Sequence, residues 1–310
     1  MTRPPSTTGL HHISVITGSS AETLEFYTEV LGLRLVKRTV NYDDQFMHHL
    51  YFGFGGSGSE TLLTCFPAER GQEGRVGQPQ PTATALAVPA ESVDYWAERL
   101  GGDVERTERF GTPVLEFTDG MGQPLELVGV EDEGEREGTE NHRQERPIPR
   151  EHAIRGIHSV TLASASPFQT ASVLEALGFE LTGQEGDRVR YEVQGTGATV
   201  VDVLDRALPY GREGAGTAHH VAFRMADEAA LSKWRELLVA DGLDPSRVKD
   251  RNYFHSLYVR EPGGILFEFA TDGPGLTVDE PAGALGERLT LPPWLEQDRE
   301  MITAQLPPLS

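Results

Sequence analysis

Apolar residues along this chain switch period four times, from alternate positions in a short run to every third or fourth position in the run that follows. The first rhythm is that of a strand and the second that of an amphipathic helix. Module one opens at Leu10–Ile16, continues into a helix over 21–31 and closes with the strand Leu62–Phe66. Module two opens at Thr82–Val88, has a helix over 92–100 and closes with Pro124–Val128. Module three opens at Gly156–Leu162, has a helix over 167–177 and closes with Thr199–Leu204. Module four opens at Ala218–Phe223, has a helix over 228–241 and closes with Ile265–Phe269. A repeat of this kind predicts an α+β protein of four strand–helix–strand modules, and it decides which positions correspond before any motif is weighed.

Punctuation divides the modules in sequence. Residues 131–152 are charged, contain glycine and hold few apolar residues, which predicts a solvated linker. The expected division is therefore 8–130 for the first pair of modules, 131–152 for the linker and 153–272 for the second pair. A tail over 273–310, rich in Pro, Gly and Leu, is expected to wrap the surface and dock through Trp294.

Within this rhythm stand two histidine doublets, His11–His12 and His219–His220, each in the opening strand of its module. Successive side chains of a strand face opposite ways. His12, Ser14 and Ile16 share one face, against His11, Ile13 and Val15 on the other. Ala218, His220, Ala222 and Arg224 oppose His219, Val221, Phe223 and Met225. The apolar faces should pack on the helices, leaving His12 and His220 to line what the sheet encloses. The same rule puts Glu268 inside with Leu266 and Ala270, opposite Phe267 and Phe269. One histidine in a strand is ordinarily a hydrogen-bonded core residue; two with a buried carboxylate at corresponding positions are costly without a metal. Two imidazoles and one carboxylate are also the ligand set of a non-haem iron(II) site with open positions.

The other modules act as a control. At the opening-strand position module two offers Thr84 or Ala85 and module three Ser159, beside His158. At the closing-strand position modules one to three carry Thr64, Glu126 and Asp202. No second set of two histidines and a carboxylate assembles, and His158, Glu126 and Asp202 read as a structural hydrogen-bond network.

Composition narrows the function classes. The 310 residues are 38% hydrophobic, with 13 Phe, 8 Tyr and 3 Trp, enough for two units of ordinary size. Against 48 acidic residues stand 27 basic ones, a net charge of −21 that disfavours nucleic acid and anionic membranes as partners. The single cysteine, Cys65, excludes an internal disulfide and sits in an apolar run as a buried thiol. No apolar stretch of signal-peptide or membrane-spanning length is present, so the expected location is the cytoplasm. Homo-oligomerisation is left open.

Several runs carry a resemblance: Leu10–Ser14, Lys37–Asp43, His49–Phe52, His152–His158 and, most specific, Asp250–Glu268. With the four βαβββ modules they resemble the vicinal oxygen chelate superfamily of glyoxalases, bleomycin-resistance proteins and dioxygenases. Within it they look like the hydroquinone ring-cleaving dioxygenases, over about residues 8 to 280. The resemblance implies two open mixed-sheet barrels, the first and fourth modules sharing one and the second and third the other. It implies iron(II), in preference to Mn(II) or Zn(II), on residues matching His12, His220 and Glu268. It implies a surrounding set matching His11, Ser14, His219, Arg251 and Tyr258. Strand alternation points His11 and His219 away from the metal, so they reach it only through a twist or bulge. The implied partners are a hydroquinone-like or catechol-like ring and O2, with Arg251 stabilising oxyanion charge and Tyr258 hydrogen-bonding the bound oxygen. Arg38, His49 and Tyr51 are further cavity candidates that nothing in the sequence discriminates. Two other classes compete. A glyoxalase-type isomerase would want a fourth ligand where Thr64 stands, and a non-catalytic binding protein would have no use for the triad.

Overall fold

In a computed structural model, residues 4–54, 61–131, 147–195 and 197–309 are described. Each module is a strand, a helix and three further strands. Module one holds β1 (Leu10–Thr17), α1 (Ser20–Glu25), β2 (Arg34–Asn41), β3 (Asp44–Gly53) and β4 (Leu62–Pro67). The helical run continues past α1 as a π-helical turn over Phe26–Val30, so the apolar helix expected over 21–31 changes its winding halfway. Module two holds β5 (Gln80–Pro89), α2 (Val93–Leu100), β6 (Glu105–Arg109), β7 (Thr112–Thr118) and β8 (Pro124–Val130). Module three holds β9 (Gly156–Ala163), α3 (Pro167–Leu177), β10 (Glu180–Glu185), β11 (Arg188–Glu192) and β12 (Val200–Leu204). Module four holds β13 (Thr217–Met225), α4 (Glu228–Ala240), β14 (Lys249–Asp250), β15 (Phe254–Arg260) and β16 (Leu266–Pro274).

Local chemistry sets the helix ends. The Asp227 side chain accepts from the Ala230 amide at the start of α4, and α3 begins on Pro167 and stops at Gly178, whose φ of 103° suits a residue without Cβ. The helices cover the faces predicted to be apolar. Trp234 of α4 stacks on Phe269 at 5.1 Å, and Phe223 meets Phe267 at 4.8 Å.

The sheets join modules across the chain. One eight-stranded sheet runs β14-β15-β16-β13-β1-β4-β3-β2, from modules four and one; the other runs β10-β11-β12-β9-β5-β8-β7-β6, from modules three and two. The sequence ranges 8–130 and 153–272 thus group modules along the chain, while backbone pairing groups first with fourth and second with third. Each sheet is two four-stranded halves joined antiparallel through opening strands, β1 with β13 and β5 with β9.

Both central pairings carry two one-residue bulges. Leu10 pairs with Phe223 and His12 with Ala222, so His11 is extra on β1; Ser14 pairs with His220 and Val15 with Ala218, so His219 is extra on β13. The second sheet repeats this with Thr82 and His158 as the extra residues. The positions matching His12 and His220 are therefore Ala83 and Ser159. Simple counting along module two gives Thr84 or Ala85 instead, because strand periodicity cannot register an inserted residue.

Behind β16 the tail crosses to the opposite edge of the first sheet. Leu289 pairs with Arg38, Thr290 donates its amide to the Arg38 carbonyl, and Leu291 and Ile302 are buried on Val40. The ring of Trp294 meets Tyr42 edge-on at 5.6 Å but stays 45% exposed, so Leu291 and Ile302 supply the buried part of the docking expected of it. Lys37, fully buried, donates to Asp279 at 2.7 Å and Glu280 at 2.5 Å. Residues 132–146 of the expected linker lie outside the described residues.

Candidate metal centre

At the junction of β1, β13 and β16, His12, His220 and Glu268 converge. His12 Nε2 is 3.0 Å from His220 Nε2, and the two stand 3.1 and 2.8 Å from Glu268 Oε2. All three residues are buried, and Glu268 is 0% exposed. Neither oxygen of Glu268 has a hydrogen-bond partner of acceptable geometry among the described residues. A buried carboxylate left so is strongly penalised unless a cation completes it.

The spacing tests what cation fits. Ligands about 2.1 Å from a metal lie roughly 3.0 Å apart at right angles and roughly 3.4 Å apart at a tetrahedral angle. The observed 2.8–3.1 Å matches three adjacent corners of an octahedron, the facial arrangement that leaves three corners open. Protonation agrees. Burial works to raise the Glu268 pKa, but the imidazoles of His12 and His220 outweigh it and hold the carboxyl well below its usual range. Burial pushes His220 down to about 4 against the pull of Glu268. A neutral imidazole and an ionised carboxylate are the forms that ligate.

The bulges explain the doublets. Their extra residues bring His11 Nδ1 within 2.8 Å of His12 Nδ1 and His219 Nδ1 within 2.7 Å of His220 Nδ1. An imidazole ligating through Nε2 carries its proton on Nδ1, so His11 and His219 accept there. Their own Nε2–H groups then face Asp272, 3.8 Å from His11, and Glu213, 3.6 Å from His219. His11 is buried against Phe254, while His219 lines the cavity in front of the site.

That cavity has a volume of about 490 Å³ and is bounded by the cage histidines at one end and by Ile16, Phe66, Phe254 and Leu266 along apolar walls. Arg251 and Tyr258 both line it, the guanidinium 5.2 Å from the phenol ring. Burial, then the charge of Glu268, raises the Tyr258 pKa, so its phenol keeps its proton. Arg251 donates to Asp43 at 2.7 Å, and Lys249 reaches the same carboxylate at 3.4 Å. Asp43 lies in the turn between β2 and β3, so this ion pair spans the two free edges of the sheet. Ser14 is buried, its hydroxyl 3.0 Å from His220 Nε2 and 2.7 Å from Thr64 Oγ1.

Of the undiscriminated candidates, His49 and Tyr51 line the cavity, whereas the backbone of Arg38 is tied down under the tail. Sequence reasoning passed over Asp43, Met47 and Lys249, which also line it. The signal for Lys249 and Asp43 was opposite charge at two strand ends, visible only once the edges face each other.

The second sheet shows what happens at the same place without two histidines. Glu126 and Asp202 occupy the register position of Glu268. Arg109 pairs with Glu126 at 2.5 Å and with Glu116, and Arg190 grips Asp202 through two bonds of 2.8 and 2.9 Å. Guanidinium groups neutralise there what a metal ion would neutralise at the first site, and only a small void remains beside His158.

Comparison with known proteins gives a consistent outcome. The profile of the Glyoxalase/Bleomycin resistance protein/Dioxygenase superfamily matches residues 9–88 and 156–269. MhqO of Bacillus subtilis, provisionally named a ring-cleaving dioxygenase, is 40% identical over 97% of this chain and 96% of its own. The chlorohydroquinone/hydroquinone 1,2-dioxygenase of Sphingobium indicum is 35% identical over 96% of this chain and 95% of its own. A crystal structure of a Bacillus subtilis protein provisionally named a dioxygenase superposes with a TM-score of 0.91 at 39% identity, covering 99% of this chain and 98% of that one. Glyoxalase I from Zea mays shares the fold alone, with a TM-score of 0.62 at 15% identity over 85% of this chain and 92% of its own. On its profile match, its relatives and its two curled sheets, the chain belongs to the Glyoxalase/Bleomycin resistance protein/Dioxygenase superfamily.

Proposed function

We propose that this protein is an iron(II)-dependent dioxygenase that opens a hydroquinone-like or catechol-like ring and places both atoms of O2 in the product. His12, His220 and Glu268 would hold the iron, in preference to Mn(II) or Zn(II). The observation that carries this reading is the convergence of three buried donors at right-angle spacing around an unsatisfied carboxylate. Relatives named as ring-cleaving dioxygenases over nearly their whole length support it.

Iron in such a site would supply adjacent open positions where a ring hydroxyl and O2 meet, so that their encounter is no longer bimolecular. The chain supplies the rest. Apolar walls exclude water and hold the ring by its faces. Arg251, cationic at every relevant pH, offers charge to a developing oxyanion, and Tyr258 keeps a proton to donate. His11 and His219 fix the tautomer and orientation of the ligating rings. Ser14 completes the surroundings with its hydroxyl. Thr64 in the fourth carboxylate position disfavours a glyoxalase-type isomerase, and the unsatisfied Glu268 disfavours a protein that only binds small molecules.

The test is metal analysis of protein prepared without oxygen, followed by oxygen uptake with hydroquinone and catechol. The expected outcome is about one iron per chain and uptake with one of these rings. Protein that binds no iron when it is supplied, or consumes no oxygen with any dihydroxy aromatic, overturns the proposal.

A further inference from the structure

Thr64 stands where the other three modules carry a carboxylate, opposite Tyr51 as Glu268 stands opposite Tyr258. From it a chain of buried polar atoms leads away from the cage. Ser14 Oγ is 2.7 Å from Thr64 Oγ1, Thr64 Oγ1 is 3.0 Å from His49 Nε2, and His49 Nδ1 is 3.1 Å from the Tyr51 hydroxyl. The His49 ring lies between those of Tyr51 and Phe66, each 4.2 Å away and tilted by less than 40°. Its faces are covered, and among the described residues its two nitrogens hydrogen-bond to the two hydroxyl groups.

At the inner end, Ser14 Oγ is 3.0 Å from His220 Nε2. That nitrogen has one lone pair. Given to a metal, the pair is lost to Ser14, whose proton then needs another acceptor in a buried place. An oxygen atom of a substrate held beside His220 would be able to serve.

We infer that Tyr51, His49 and Thr64 form a hydrogen-bond relay that fixes the Ser14 hydroxyl as a donor to the substrate oxygen bound at the metal position. The inference rests on the dioxygenase reading. Direction follows from the outer end: burial pushes the Tyr51 phenol well up, so it keeps its proton and donates to His49 Nδ1. The ring proton of His49 then lies on Nε2 and is given to Thr64, whose own proton goes to Ser14. Each bond orders the next, and the final donor needs no reorientation when negative charge arrives. Thr64 is a positioning residue that acts through Ser14, and His49, which also lines the cavity, orients Thr64. Their effect is to favour binding of the ring as its oxyanion, with loss of the hydroxyl proton.

The test is calorimetric titration of hydroquinone into the iron(II)-loaded protein without oxygen, in two buffers of different ionisation enthalpy, counted per iron bound. The wild type should release about one proton per ring bound. Thr64→Val and His49→Phe should release markedly less and bind about tenfold more weakly, the loss of one hydrogen bond to a charged group. Thr64→Ser should restore both quantities. Equal proton release and affinity in wild type, Thr64→Val and His49→Phe overturn the relay. A wild type that binds iron but no dihydroxy aromatic fails the dioxygenase reading instead, so the two failures are distinct.

Discussion

At the scale of the residue, Glu268 is the group whose environment demands most. Its oxygens are fully buried, and in the metal-free protein its charge is offset by the imidazoles of His12 and His220, 3.1 and 2.8 Å from Oε2. Glu268→Gln removes the anionic donor and should weaken iron(II) binding by about 100-fold, read by metal titration. Iron(II) should raise the unfolding midpoint of the wild type and leave that of the variant unmoved, which denaturation with and without metal measures. A variant midpoint raised by iron(II) as much as that of the wild type would count against the site. His12→Ala should lower iron affinity and oxygen uptake by about 100-fold or more; a variant with full activity sinks its assignment as a ligand. His12, His220 and Glu268 were legible in the sequence because one alternation rule reached all three. His49 and Tyr51 were not, because Asp44–Gly53 is buried from Leu50 onward and its polar residues differ only in what lies across the sheet.

At the scale of the element, a bulge decides what a doublet means. Perfect pairing would turn His11 and His219 outward, as alternation predicts; an inserted residue on each strand sets them against His12 and His220. Periodicity sees residues and not their partners, so the bulges stayed hidden while the strands themselves were plain. The matching strands of the second sheet allow a pH prediction. His158 sits at the corresponding bulge, and burial, with Arg190 nearby, pushes its pKa down to about 4. Its neutral form is the native one, so the unfolded chain binds the additional proton. Stability is thus fully present above about pH 6.5 and falls as pH drops towards 4, by about 3 kcal/mol in all. His158→Asn should flatten that slope in urea titrations at pH 7 and pH 5; an unchanged slope refutes it. Asp202→Ala should cost about 3 kcal/mol by stranding Arg188 and Arg190, read as a lower urea midpoint.

At the scale of the whole molecule, the first sheet is an open trough held shut on two sides. Asp43 with Arg251 and Lys249 joins its free edges at the cavity, and the tail crosses behind with Lys37 between Asp279 and Glu280. Replacing both Asp279 and Glu280 by Ala leaves a buried ammonium unpaired and should lower stability by about 3 kcal/mol or more, with tail amides exchanging faster. An unchanged midpoint would show that the tail adds nothing to closure. The four repeats were readable from periodicity, but pairing of the first module with the fourth was not, since nothing in a periodicity records which edges meet. That pairing has a consequence for the newly made chain. Modules two and three are contiguous and can pair while synthesis continues, whereas Glu268 leaves the ribosome roughly 10–50 s after His12 at 5–20 residues per second. A site drawn from both ends of the chain cannot assemble on an unfinished protein, so under the proposed function a nascent or truncated product would hold no iron.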